Sequence, residues 1–204
     1  EVLARSPQET FARYAKWLLT GAEMCDFVRG RPQDVIDAAL DFARAGLYAE
    51  ADKVLATCTK PDQMIAYYRA FYAGRVPERV DIALCFPNRL EDIAVLRRFA
   101  GDWQAQYLLG CLFYDRKNYA AAGAAWQESA RRNPQYAFTW RNLAQAQYDH
   151  LNQRNQARLS LERALELLPN EARIVYELLQ LYKNLRLPVA DRLAFLKARE
   201  ALVR

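Results

Sequence analysis

A catalytic centre needs side chains that exchange protons, attack carbonyls or hold metal ions, and this sequence of 204 residues is poor in them. Its one histidine, His150, lies in the polar run Tyr148-Asp149-His150-Leu151-Asn152, where an imidazole is expected to be exposed and without a catalytic role. The four cysteines, Cys25, Cys58, Cys85 and Cys111, stand far apart in apolar surroundings. No two have the spacing of a zinc site, and they read as reduced, buried thiols rather than a disulfide framework. Cys85, just before Phe86-Pro87, reads as a small buried hydrophobe rather than a reactive nucleophile. Glu162 and Glu166 are four residues apart near Arg158 and Arg163, the spacing of surface ion pairs on a helix. No glycine-rich phosphate loop is present. The inventory points away from an enzyme, a bound cofactor or a metal ion, and toward a protein that works by holding another molecule.

Composition agrees. The chain is 52% apolar and 26% charged with only 7 glycines, which suits a packed, helix-rich protein rather than a disordered one. No stretch reaches the roughly 18 unbroken apolar residues of a membrane span. The net charge of +5 is spread along the sequence instead of gathered into a run, so it reads as a solvated helical surface and not as a nucleic-acid footprint. Paired base-reading side chains at equivalent places in successive repeats, which helical-repeat RNA recognition needs, are missing as well. The sequence opens on Glu1 and closes on Ala201-Leu202-Val203-Arg204 in helical pattern; the expectation is a piece of a longer protein. Widely spaced thiols make a reducing cytoplasm the expected compartment.

The elements that must position any site are helices, because the 3.6-residue period appears almost everywhere and strand-like alternation almost nowhere. Ser6-Pro7-Gln8-Glu9 has the pattern of a helix N-terminus; Phe11, Tyr14, Trp17 and Leu18 then line one face until Gly21. Further on the sequence repeats itself. Leu109-Gly110 returns as Leu143-Ala144 after 34 residues and as Leu178-Leu179 after 35 more, and Pro134 returns as Pro169. Ala122, Trp126 and Ser129 return as Ala157, Leu161 and Ala164 with their spacings kept. An earlier copy runs through Val35, Ala38, Ala39, Phe42, Gly46, Tyr48, Ala51, Leu55 and Cys58, and the interval left between the copies holds room for a degenerate one opened by Tyr67, Tyr68, Ala70 and Phe71. The expected organisation is an N-terminal helical segment at 1–31 and repeats at 32–61, 62–101 (degenerate), 102–136, 137–171 and 172–204 (degenerate, truncated).

Spacing of this kind asks for two antiparallel helices per unit, with small residues (Ala39, Ala51, Gly110, Ala144) where the two approach closely. Large residues (Phe42, Phe113, Trp126, Trp140, Tyr182) fill the gaps between units, and Pro134 and Pro169 stop each second helix. No such unit can bury its apolar face alone. An aromatic, then Leu-Gly, Tyr, Ala, Phe, Ala and Pro over about 34 residues is the tetratricopeptide (TPR) pattern, and the segment Trp103–Pro169 resembles it over two units. The clearest copy is Trp140-x-x-Leu143-Ala144 with Ala157, Leu161, Ala164 and Pro169, whose loop carries one extra residue. Gln106 and Gln147 replace usual aromatics, and the pattern fades beyond Tyr182 near Leu187-Pro188. The resemblance implies an all-α fold, a right-handed α-α superhelix or TPR-like solenoid of antiparallel helix pairs. Cys85-Phe86-Pro87-Asn88-Arg89-Leu90-Glu91, followed by Ile93-Ala94-Val95-Leu96, and Tyr107–Asp115 are similar to bacterial TPR proteins in which the repeats follow an N-terminal β-sandwich domain of unknown function. That second resemblance supplies no catalytic residue.

In a solenoid of this family the first helices face a concave groove. The residues placed there are Gln104, Tyr107, Cys111 and Tyr114, then Phe138, Arg141, Gln145 and Tyr148, then Arg173, Tyr176, Gln180 and Lys183. Tyr107, Tyr114, Arg141, Asn142, Gln145, Tyr148, Arg173, Tyr176 and Gln180 are the candidate partner-binding residues. Such a mixed aromatic, amide and cationic surface suits an extended peptide or an amphipathic helix. Some relatives clamp the C-terminal carboxylate of a chaperone with Lys and Asn on these helices. Arg141-Asn142 matches one part, but Cys111 stands where an Asn is expected and Glu177 where a cation is needed, and a carboxylate beside Glu177 would be repelled. The expected function is a non-enzymatic scaffold for a protein or peptide partner; the alternative is an accessory helical domain of a larger carbohydrate-active bacterial protein, docking on its β-sandwich. The register itself is testable: Gly110→Leu should overpack the helix pair by about 1–3 kcal/mol, and a thermal midpoint equal to the parent's contradicts it.

Overall fold

A computed structural model describes residues 9–21, 29–83 and 85–199. The expected helix start at Ser6-Pro7 and Cys25 lie outside the described residues. Eleven helices and no strand occur among them: α1 Thr10–Thr20, α2 Pro32–Arg44, α3 Tyr48–Ala56, α4 Gln63–Ala73, α5 Leu90–Arg98, α6 Trp103–Asp115, α7 Tyr119–Arg132, α8 Ala137–Asp149, α9 Arg154–Leu167, α10 Ala172–Asn184 and α11 Val189–Lys197. They divide into two compact units, one holding α1–α5 and the other α6–α11. None is long and apolar enough to cross a membrane.

In the first unit α2 and α3 pack as a pair, α3 against α4, and α4 against α5. Ala39 and Ala51 are fully buried, as close helix approach requires, beside Val35, Val54, Leu55, Tyr67 and Leu96. Gly21 ends α1, and the buried Tyr14 of that helix shares a hydrogen bond of 2.9 Å with Thr57 at the end of α3. The long segment between α4 and α5 is pinned by buried polar side chains. Gln63 donates to the Glu78 carbonyl and accepts from the Val80 amide, which satisfies both ends of an amide that is 0% exposed. Asp62 caps α4 by accepting from the amides of Met64 and Ile65 at 2.8 and 3.1 Å. The Cys85–Glu91 motif proves structural: Cys85 is buried beside Asp62, Arg89 donates to Asp37 and Gln33 of α2, and Asp92 accepts from the Arg89 amide and the Tyr68 hydroxyl.

In the second unit α6 packs on α7, α7 on α8, α8 on α9, α9 on α10 and α10 on α11. α6 and α7 approach closely at Gly110. A methyl group at Gly110 would stand 2.3 Å from Nε1 of Trp126, and that indole N–H donates to the Tyr107 carbonyl at 3.1 Å. Trp126 is buried and also packs with Leu143 and Ala146 of α8, so it closes its own pair as well as meeting the next one. Ser129 donates to the Trp103 carbonyl and exchanges a hydrogen bond with Thr139, tying α7 to the helices on either side. Ala144, Ala157, Leu161, Ala164, Leu178 and Leu181 form the core of the following pairs. Pro188 precedes α11, which buries no residue completely; Tyr182 holds it through an edge contact with Phe195.

The turns inside the pairs share one geometry. Gly46, Lys117, Asn152 and Arg186 all have positive φ, between 54° and 79°, and they recur after 71, 35 and 34 residues. Leu47, Asn118 and Leu187 each donate an amide to the carbonyl five residues back, Phe42, Phe113 and Tyr182, the bond that closes a helix end in the left-handed conformation. After α8 the bond spans six residues, from Gln153 to Gln147; this is where the extra loop residue expected from the sequence is taken up.

The two helical glycines of this unit should answer oppositely to the same change. Gly110→Ala drives a methyl into the Trp126 indole and should cost about 1–3 kcal/mol. Gly123→Ala meets only the end of the Leu151 side chain, at 2.9 Å, and gains helix propensity of about 0.5–1 kcal/mol. Urea titrations of both variants check this; equal effects would contradict the α6–α7 contact.

Candidate binding groove

The nine candidate residues separate into three groups. Tyr107 and Asn142 face each other from α6 and α8: the Asn142 amide donates to the Tyr107 hydroxyl at 3.3 Å and approaches the Cys111 sulfur at 3.9 Å. Tyr107 also meets Tyr136 edge-on at 5.1 Å. Burial raises the Tyr107 phenol well above its ordinary range, and burial likewise pushes the Cys111 thiol up to about 11. These side chains are engaged with one another and serve as the support of the groove rather than its contact surface.

Tyr114 belongs to a second group at the C-terminal ends of α6 and α8. Its ring lies 5.5 Å from Trp126 and 5.2 Å from Tyr119. His150 stacks flat on Tyr119 at 3.4 Å and stands 3.3 Å from the Tyr114 hydroxyl through Nε2. The lone histidine is exposed, as expected, but it is held by aromatic faces instead of projecting freely. Partial burial raises the Tyr114 phenol, and Asp149 nearby acts in the same direction.

The other six come together. Arg141, Gln145 and Tyr148 of α8 and Arg173, Tyr176 and Gln180 of α10 line one open cleft of about 270 Å³. Its apolar part is Ala144, Leu161 and Leu181, and Asp149, Glu177 and Asn184 complete the lining. The order follows from the repeat: Arg141 and Tyr176, and likewise Gln145 and Gln180, are 35 residues apart, so each pair occupies the same turn of successive first helices and points to the same side. Tyr176 is 62% exposed.

In the sequence Glu177 is only an anion out of place. In the structure it is the centre of the cleft's electrostatics. Arg141 grips it with two nitrogens, Nε at 2.8 Å from Oε2 and Nη2 on Oε1, and Arg173 adds Nε at 3.1 Å from Oε1. The Arg141 side chain is 14% exposed and that of Glu177 30%, so this forked, half-buried pair is stronger than an ordinary surface ion pair. Sequence reasoning missed the partnership, although Arg173 and Glu177 have the four-residue spacing of a helical ion pair. It also missed Leu161, which reaches the cleft from a second helix. Among the described residues no group of His, Cys, Asp and Glu is placed to hold a metal ion.

Comparison with known proteins bears on the fold. No protein-family model matches the chain. A structure of a MamA RS-1 double mutant superposes with a TM-score of 0.52 at 16% identity, covering 85% of this chain and 94% of its own. A second MamA mutant gives 0.50 at 20% identity, covering 87% and 99%. Both are helical-repeat proteins of the TPR-like type, and the likeness shows that this chain has that all-α architecture. At such identities the likeness is one of fold alone.

The chemistry of Cys111 gives a direct check on the support of the groove. With its pKa near 11 the thiol stays protonated at neutral pH, and the thiolate, the reactive form, is about a hundredfold scarcer than at the ordinary value of 9.0. Alkylation of native Cys111 by iodoacetamide at pH 7.5 should therefore run about a hundredfold slower than in urea, and rise tenfold per pH unit up to about 11. Equal rates in both states would place the thiol at the open surface.

Proposed function

We propose that this chain is a non-enzymatic helical-repeat scaffold that holds an extended segment of a protein partner, or of its own parent chain, in the cleft between α8 and α10. The observation that carries the reading is the convergence of six side chains from two helices one repeat apart on a cleft with an apolar floor, an amide rim and an exposed tyrosine. An open cleft of this size admits one or two side chains of a longer ligand. Tyr148 and Tyr176 offer contact area at low entropic cost, and Gln145, Gln180 and Asn184 supply the paired donors and acceptors that an extended backbone needs.

A second reading has its own observation. Leu179, Val189, Leu193 and Leu196, edged by Gln180, Lys183 and Arg192, line a shallow groove of about 220 Å³ along α10 and α11, and Val189 and Leu193 are exposed. This apolar face suits packing against another domain, which agrees with the resemblance to bacterial proteins whose repeats follow a β-sandwich domain. The repeats would then be an accessory part of a carbohydrate-active protein. A cytoplasmic setting fits both readings, since Cys58, Cys85 and Cys111 are free.

Affinity capture from the native host distinguishes them. A partner held by the parent protein and reduced at least tenfold by Gln145→Ala/Asn184→Ala, a pair that lines the cleft and not the terminal groove, supports the cleft. A partner indifferent to that change but lost with Val189→Asp/Leu193→Asp would move the role to the terminal groove and overturn the first reading.

A further inference from the structure

We infer that Glu177 sets the charge specificity of the cleft: by filling the guanidinium pair of Arg141 and Arg173 with a carboxylate of the chain's own, it bars acidic ligands and reserves the cleft for an uncharged, aliphatic stretch of a partner protein. This rests on the binding role proposed above for the same cleft.

Three features of the lining lead there. First, the strongest anion-binding groups of the cleft are already in use. Arg141 spends both arms of its fork on Glu177, and Arg173 donates its Nε to the same carboxylate. A ligand carboxylate would have to displace a tethered competitor and leave Glu177 half-buried beside a second negative charge, which is costly. Second, the formal charges of the lining cancel, Arg141 and Arg173 against Glu177 and Asp149. No net field draws an acidic segment in. Third, the rest of the lining is neutral: the apolar floor of Ala144, Leu161 and Leu181, the amides of Gln180 and Asn184, and that of Gln145, which also bonds to the Tyr114 side chain. An extended backbone with aliphatic side chains satisfies both without bringing a charge.

The arrangement also says how the preference would be reversed. Arg173 is 71% exposed, and its two terminal nitrogens have no partner among the described residues. Removing the negative charge of Glu177 while keeping its shape would leave two guanidinium groups facing the cleft with only Asp149 opposing them. Specificity would then pass from uncharged to acidic ligands through one atom exchange, with the repulsive element removed rather than a new attraction built.

Two acetylated, amidated heptapeptides, Ser-Leu-Xaa-Leu-Xaa-Leu-Ser with Xaa either Gln or Glu, test this by fluorescence anisotropy. The parent protein should bind the Gln peptide at least tenfold more tightly than the Glu peptide. Glu177→Gln should tighten the Glu peptide at least tenfold, with the gain shrinking in 0.5 M NaCl, and Glu177→Gln/Arg173→Ala should lose that gain. Should Glu177→Gln lose its helical circular dichroism, Arg173→Glu in the parent background answers instead: it should weaken the Glu peptide at least threefold more than the Gln peptide. Binding of both peptides with a preference that neither substitution moves by more than twofold overturns the role of Glu177 and leaves the cleft standing as a peptide site. Absence of submillimolar binding by either peptide to any of these proteins overturns the binding role, and the inference with it.

Discussion

The second unit depends on how closely α6 and α7 approach at Gly110. The Trp126 indole lies where a β-carbon would stand and hydrogen-bonds to the backbone of the opposite helix at Tyr107. One ring thus fixes the distance between the two helices and their axial register, and its outer side packs with Leu143 and Ala146 of the next helix. Because interiors are packed to crystal density, that placement passes from pair to pair. Ala144, which takes the place of Gly110 one repeat later, is buried against α9 in the same manner, with Leu161 in the position of Trp126. Leucine is smaller than tryptophan, and here Leu161, while buried in the core, also floors the open cleft.

The helical architecture was readable because it is written in residue size and interval. Small residues mark close approach, Ala39, Gly110 and Ala144 recurring after 71 and 34 residues, and these three and Ala51 are all buried. The left-handed turn position was harder to read. A glycine marks it at Gly46, but Lys117 and Arg186 occupy it elsewhere, at a cost of about 1–2 kcal/mol each for residues with a β-carbon. No residue type announces the position; only the phase of the repeat does. The segment 74–89 was equally opaque, since Gln63 holds the backbone of Glu78 and Val80, Asp62 accepts from the Cys85 thiol and Asp92 from the Arg89 amide, partners that no local pattern identifies.

The cleft was legible in part for the same reason. Helical phase places Arg141, Gln145 and Tyr148 on one face and Arg173, Tyr176 and Gln180 on the next, and the structure brings those six around one volume. Phase does not reveal which of them spend their bonding capacity inside the protein. Tyr107 and Asn142 satisfy each other, Tyr114 joins the aromatic group around His150, and Arg141 is committed to Glu177. A residue assigned to a groove by its face alone is therefore only a candidate; the partner it already has decides what it can offer a ligand.

The most direct measurement is a residue-by-residue map of where an uncharged aliphatic peptide lands. In a titration of ¹⁵N-labelled protein followed by NMR, the account predicts that amide shifts concentrate on α8 and α10 and that the side-chain amides of Gln145, Gln180 and Asn184 move together with a single affinity. Shifts confined to α11, or scattered without saturation, would contradict it.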